Sequence, residues 1–298
     1  MGIAEVIPGV SGGTIAFITG IYEKLLHTIK AFHPSLINTF KDEGLRGLWE
    51  KINGSFLVTL LIGMAGGIIL GVFGVSHLIE SYPEMLWAFF FGLIISSAIF
   101  IARQVQKWNL GELIFLIAGT LIAYYITIAT PAQGNEALWF VFLSGTIAIS
   151  ALILPGISGS FILLLMGMYS FVIPTIKKAL TSFDNESLLI VGTFGLGCLV
   201  GLLTFSRVLS WTFKNYNNPT LALLTGFMIG SLNKLWPWRN VISTRINSKG
   251  VEVPFLEESV LPGNYVGETY LTGVIICMII GFISVFVIER ISTFTIRK

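Results

Sequence analysis

The 298-residue sequence predicts an all-α integral membrane protein with two inverted repeats, each a broken-helix (re-entrant) hairpin followed by three transmembrane helices. Three observations support this fold class. Apolar residues make up 54% of the chain and charged residues only 11%, which is typical of a membrane protein. Six apolar segments are long enough to span a bilayer, which takes about 20 helical residues. Finally, a proline–glycine motif occurs twice, half a chain apart.

The candidate spans fall into two groups of three, and each group follows one copy of the motif. They cover roughly residues 56–79, 84–102, 110–129, 188–209, 219–236 and 270–288. We therefore expect a single membrane domain, 1–298, made of repeat one, 1–136, and repeat two, 137–298. Because an odd number of spans separates the two copies, the second repeat is expected to be inverted relative to the first, as in many secondary transporters.

The repeated motif reads PGVSGGTIAFITGIY at 8–22 and PGISGSFILLLMGMY at 155–169. Proline and glycine interrupt helices that a bilayer otherwise favours, and paired interruptions in two halves are the best sequence indication of a transporter's binding site. The second motif lies in an apolar segment, 137–173, of 37 residues. As a helix it would be roughly 55 Å long, too long for one crossing. A hairpin of two helical arms is therefore expected there, and by analogy at 1–22.

Each motif places a serine where the N-cap of the following helix belongs. A break at membrane depth leaves backbone N–H groups unpaired, which is tolerated only around a cavity or a ligand. Helix N-termini with free N–H groups favour anions, phosphate above all. The candidate binding residues are Ser11, Gly12, Gly13 and Thr14 in the first copy and Ser158, Gly159 and Ser160 in the second. The alternative is a duplicated packing device whose glycines only let helices approach closely.

Three ionisable residues are further candidates. His77 and Arg207 occupy matching places after a serine near the ends of two spans, and charged groups at membrane depth are usually functional. The guanidinium of Arg207 also suits phosphate. The alternative is that both side chains snorkel to an interface. Glu5, just before the first break, is a candidate to carry a coupling proton; the alternative is a chain-end carboxylate in water.

The distribution of charge predicts an orientation and excludes some functions. With hairpins at both motifs, twelve Lys and Arg lie on the side of the termini and six on the other, so both termini are expected in the cytoplasm. Residues 23–54 are expected along the membrane interface, and the acidic stretch 250–268 in an external loop. The net charge of +2 is too small to suggest nucleic acid. The sequence shows no metal-ligand cluster and no nucleophile with its base, so neither a cofactor nor an enzyme is expected.

The chain resembles the bacterial polyprenyl-phosphate transporter (PopT) family. The resemblance covers essentially the whole chain and lies in these segments: EVIPGVSGGT at 5–14, GIYE at 20–23, LPGISGS at 154–160, FSRVLSW at 205–211 and GSLNKLWPW at 230–238. It implies recycling of undecaprenyl phosphate, the lipid carrier of cell-wall synthesis, across the cytoplasmic membrane. The phosphate would then be held by N–H groups around 11–14 and 158–161, with Arg207 and His77 neutralising charge. A proton or sodium ion is the candidate coupling partner.

Two rival classes remain on the sequence. An ion-coupled carrier or channel for a small soluble anion could use the same helix ends. A membrane-embedded enzyme acting on lipid phosphate would need a base beside Ser11, and none is evident. A purely structural scaffold explains neither the paired breaks nor the charges at membrane depth.

Overall fold

The computed structural model describes residues 1–5, 11–246 and 252–296, and helices make up 77% of the structure. The first predicted break, Pro8-Gly9, lies outside the described residues. The backbone of His77 lies in a helix, but its side chain is not among those described.

The described chain is built mainly from α-helices joined by short connections. The helices are α1 (Gly2–Glu5), α2 (Gly12–Ile18), α3 (Tyr22–Lys30), α4 (Leu36–Lys51), α5 (Gly54–Ser81), α6 (Pro83–Ala102), α7 (Leu110–Ile128), α8 (Leu138–Ile153), α9 (Gly159–Leu165), α10 (Tyr169–Ser182), α11 (Asn185–Asn215), α12 (Asn217–Ser231) and α13 (Leu271–Ile296). Single 3-10 turns occur at Leu232–Leu235 and Pro262–Asn264.

Within the described residues, five helices are long and apolar enough to cross a membrane: α5, α6, α7, α11 and α13. The number rises to six if the bent pair α9–α10 is one span. The protein is therefore a multi-pass membrane protein, as the sequence predicts. The span predicted at 219–236 differs, because α12 has only 15 residues and continues as a 3-10 turn. Pro237 follows soon after and cannot continue a helix.

The apolar segment 137–173 is broken at Pro155-Gly156 between α8 and α9, as the sequence predicts. Helix α9 folds back against α8, and Gly159 lies so close to the carbonyl of Ala148 that a side chain would not fit. A second break at Gly167 was not predicted. There α10 leaves α9 at an angle of 114°, because Gly167 adopts a left-handed φ of +70° that other residues rarely accept.

The helices pair across the two halves of the chain. Helix α6 packs against α13, and α7 packs against α12. Small residues allow these close approaches: Gly92 and Gly281 lie against backbone carbonyls of the opposite helix in the first pair, and Gly119 and Gly226 do so in the second. Because ten of the 15 residues of α12 are buried, this short helix is a core element rather than a lipid-facing one.

The segment predicted as an acidic external loop, 250–268, contributes the second strand of a two-stranded antiparallel sheet. Strand β1 (Arg239–Ile246) pairs with β2 (Glu252–Ser259), with Arg239 opposite Ser259. The all-α prediction was wrong in this respect. Strands of eight residues in a mixed polar and apolar stretch carry a far weaker sequence pattern than a membrane helix. The stretch predicted at the interface forms α3 and α4, and α4 exposes Phe40, Leu45 and Trp49.

Candidate functional site: the meeting point of the two motifs

The repeated sequence folds into repeated local structure. Ser11 has φ −109° and ψ 136°, and Ser158 has φ −96° and ψ 128°. Each serine precedes a helix of seven residues. Each helix then ends at a glycine in the left-handed region, Gly20 with φ +71° and Gly167 with φ +70°. From the serine to the left-handed glycine, 11–20 and 158–167, the two copies therefore share these backbone features, although they lie half a chain apart.

The two copies also contact each other directly. The Ser11 hydroxyl donates a hydrogen bond of 3.0 Å to the carbonyl of Leu152, at the end of α8. The backbone N–H of Gly156 donates to Thr14 Oγ1 at 3.2 Å. Gly156 itself has a left-handed φ of +82°, and a side chain there would press against the backbone of Met228 in α12. These two hydrogen bonds hold the start of α2 against the Pro155-Gly156 break of the second motif.

The first-turn N–H groups of α2 all have partners within the chain. The N–H of Gly12 donates to the Glu5 carboxylate at 2.9 Å. The N–H of Gly13 donates to the Ser11 hydroxyl at 3.0 Å, and the N–H of Thr14 to the Ser11 carbonyl at 3.0 Å. Glu5 is therefore bonded to the helix end rather than lying free in water. In this state the N-terminus of α2 offers no free donor to a ligand.

The equivalent end of α9 is different. The hydroxyls of Ser158 and Ser160 lie 2.9 Å apart and bond each other, so that Ser158 caps no N–H group. Among the residues that the structure describes, no acceptor bonds the N–H groups of Gly159, Ser160 and Phe161. Ser158 is nevertheless buried, with 9% of its surface exposed. Gly159 is also buried, whereas Ser160 is exposed. The start of α9 therefore presents unfilled N–H donors at the edge of the buried region, and free N–H groups at a helix N-terminus suit an anion.

A narrow cavity lies beside this open helix end. Its volume is about 10 Å³, which is room for about one water molecule. Its polar lining residues are Thr127, Ser158, Ser231 and Lys234. The Lys234 ammonium is 5.1 Å from the centroid of the Phe161 ring, in the first turn of α9. The cavity thus lies between the start of α9, which contributes Ser158 and Phe161, and the side chain of Lys234.

Lys234 was missed as a site residue by the sequence analysis. It lies in the segment 230–238 that carries part of the family resemblance, and a lysine directly after an apolar helix deserves weight as a membrane-depth cation. The Lys234 ammonium lies 3.3 Å from Oε2 of Glu257, its ion-pair partner on strand β2. Pairing between such distant residues is not visible in the sequence.

The two cations predicted from the sequence, Arg207 and His77, are not among the described residues that line this cavity. Arg207, on α11, donates one hydrogen bond of 2.9 Å to the carbonyl of Leu203 and one of 3.0 Å to the carbonyl of Phe32. No described contact joins Arg207 to Ser11 or Ser158. The side chain of His77 lies outside the described residues. Within the described part of the chain, no three His, Cys, Asp or Glu side chains are grouped closely enough to hold a metal ion.

Comparison with known proteins decides the family. A family model described as undecaprenyl phosphate translocase-like matches residues 1–253. The chain belongs to this family. A Vibrio cholerae protein named polyprenyl-phosphate transporter is 47% identical over 262 residues, 88% of this chain and 83% of the relative. A Staphylococcus aureus protein of the same name is 30% identical over 251 residues, 80% of this chain and 83% of the relative. No solved structure matches the chain.

Membership of the undecaprenyl phosphate translocase-like family confirms the resemblance drawn from the motifs. The relatives carry the names of transporters. The family is therefore one of membrane transporters and not of enzymes, as the sequence predicts.

Proposed function

We propose that the protein is a flippase that moves undecaprenyl phosphate across the cytoplasmic membrane for carrier-lipid recycling. Family membership and the names of the two relatives support this substrate class. The observation that carries the proposal is the cavity that Ser158 and Phe161, at the start of α9, share with Lys234, whose ammonium lies 5.1 Å from the centroid of the Phe161 ring.

The site suits the head group of such a lipid. A phosphate monoester carries roughly −1.5 to −2 charges at neutral pH and cannot cross hydrocarbon without partners. The N–H groups of 159–161 and the hydroxyls of Ser158 and Ser160 would donate to its oxygens, while the prenyl tail stays in lipid. Because the cavity has room for about one water molecule, it must widen when phosphate binds.

Transport is proposed to follow the two repeats, 1–136 and 137–298, each with a re-entrant hairpin and the second inverted. The shared conformation of the motifs and the reciprocal pairing of α6 with α13 and α7 with α12 support this plan. Rocking of one repeat against the other would expose the head group to each leaflet in turn. The distribution of basic residues favours cytoplasmic termini.

In the described state the Glu5 carboxylate accepts a hydrogen bond from the N–H of Gly12 at the first motif, whereas the N–H groups of 159–161 at the second motif have no acceptor among the described residues. Binding of phosphate at the first motif would require the Glu5 carboxylate to leave Gly12, which protonation favours. Glu5 is therefore the proposed coupling residue, with a proton as the ion. Arg207 and His77 remain proposed partners of the head group at another stage of the cycle.

The test is transfer of labelled undecaprenyl phosphate between leaflets of proteoliposomes, with inorganic phosphate as a competitor. The proposal expects protein-dependent transfer that excess inorganic phosphate inhibits weakly. Uptake of inorganic phosphate without lipid transfer would identify a carrier for a small soluble anion instead. Release of phosphate from the lipid would identify an enzyme.

A further inference from the structure

Two cations and one carboxylate form a cluster where α12 passes into the β-hairpin. Lys234 lies in the 3-10 turn after α12, and Arg239 is the first residue of β1. Both bond the same oxygen, Oε2 of Glu257, at 3.3 Å and 3.0 Å. The three side chains are largely buried, with 19%, 9% and 25% of their surfaces exposed for lysine, arginine and glutamate.

The cluster has one positive charge in excess. Burying a charge is costly unless it is paired and hydrogen-bonded, yet one carboxylate serves two cations here. Arg239 also donates from Nη1 to the carbonyl of Lys234 at 3.2 Å. Its Nε is buried and, among the described residues, has no hydrogen-bond partner. The cluster therefore holds an unsatisfied donor as well as an unneutralised charge.

The cluster adjoins the second motif. Lys234 lines the same cavity as Ser158, and its ammonium lies over the ring of Phe161 at 5.1 Å. An anion at the N-terminus of α9 would thus be close to the Lys234 ammonium. Lys234 thus belongs both to the cation cluster and to the cavity at the second motif.

We propose that Lys234 and Arg239 form a binding site for a phosphate dianion, in which Glu257 is the resident counter-ion that the phosphate replaces. Replacing a carboxylate by a dianion removes the excess charge of the cluster. The guanidinium offers phosphate a planar pair of donors and lysine a mobile point charge. This inference rests on the proposed function and adds to it the residues that neutralise the head group and an internal competitor for them.

The experiment measures the Kd of undecaprenyl phosphate for the purified full chain in nanodiscs at fixed salt. Lys234→Gln is expected to weaken binding about tenfold or more, since a hydrogen bond to a charged group is lost. Glu257→Gln is expected to strengthen binding at least about threefold, because the competing carboxylate is gone. A gain of affinity cannot arise from misfolding, so this variant keeps the test decisive if Lys234→Gln folds poorly.

Lys178→Gln is the matched control. It removes a lysine from another ion pair, with Asp184 at 3.4 Å, and should leave the Kd unchanged. Undecaprenol, which lacks the phosphate, should not respond to any of the three substitutions. The inference is overturned if wild type binds undecaprenyl phosphate but Lys234→Gln binds it equally well, or if Glu257→Gln binds it more weakly.

Inorganic phosphate separates this inference from the proposed function. If wild type binds inorganic phosphate but not the lipid, and the variants shift that affinity as expected, the dianion site stands while the lipid substrate fails. If wild type binds neither, both fail.

Discussion

Ser11 and Ser158 occupy equivalent sequence positions but are expected to differ sharply when replaced by alanine. Ser11 is 1% exposed and its hydroxyl makes two hydrogen bonds, to the carbonyl of Leu152 and from the N–H of Gly13. Each such bond contributes about 0.5–1.5 kcal/mol, and loss of an N-cap costs about 1 kcal/mol. Ser11→Ala should therefore lower the free energy of unfolding by about 2 kcal/mol.

Among the described residues, Ser158→Ala breaks only the bond to the Ser160 hydroxyl and uncaps no N–H group. Its cost should be about 1 kcal/mol or less, whereas its effect on head-group affinity should be the larger of the two. The assay is equilibrium unfolding of both variants in detergent, paired with lipid-phosphate binding. Equal losses of stability, or a greater loss for Ser158→Ala, would refute the distinction between the filled and the open helix end.

Three further substitutions test the structure around the site. Thr14→Val should destabilise the fold by about 1–3 kcal/mol, because the buried N–H of Gly156 loses its acceptor, while Thr14→Ser should retain most of the stability; both are measured by thermal unfolding. Gly156→Ala should cost roughly 1–2 kcal/mol or more from its positive φ, whereas Gly195→Ala, which meets nothing within 4 Å, should be close to neutral. The hydrogen bond from the N–H of Ser187 lowers the pKa of Asp184. The ionised Asp184 carboxylate therefore stabilises the fold above its unfolded pKa of about 3.9, and this stabilisation is lost as the pH falls through the folded pKa. Asp184→Asn should flatten this acid dependence when the free energy of unfolding is measured against pH.

The membrane helices were predictable because hydropathy dominates their sequence. Spans such as α6 and α7 agree with the predicted segments within a residue or so, since uninterrupted apolar runs of about 20 residues have few alternatives. The break at Pro155-Gly156 was predictable for the same kind of reason, because proline and glycine act locally. The premature end of α12 and the β-hairpin depend on weaker patterns and on packing against α6 and α7.

The site was predictable in its backbone but not in its electrostatics. The serine, the glycines and their spacing in each motif predicted two helix N-termini with unpaired N–H groups. That Glu5 fills one end while the other stays open depends on contacts across the chain, as does the pairing of Lys234 with Glu257. Arg207 was predicted as a head-group partner from its position near the end of a span, and its hydrogen bonds to the carbonyls of Leu203 and Phe32 in the described state depend on tertiary packing.

The central claim is that the second motif binds the phosphate, and a cryo-EM structure in nanodiscs with bound undecaprenyl phosphate and an antibody fragment tests it most directly. The account predicts phosphate density within hydrogen-bonding distance of the N–H groups of Gly159 and Ser160, with the Lys234 ammonium beside it. Phosphate density at Arg207 in every lipid-bound state that is resolved, with the first turn of α9 unliganded in all of them, would contradict it.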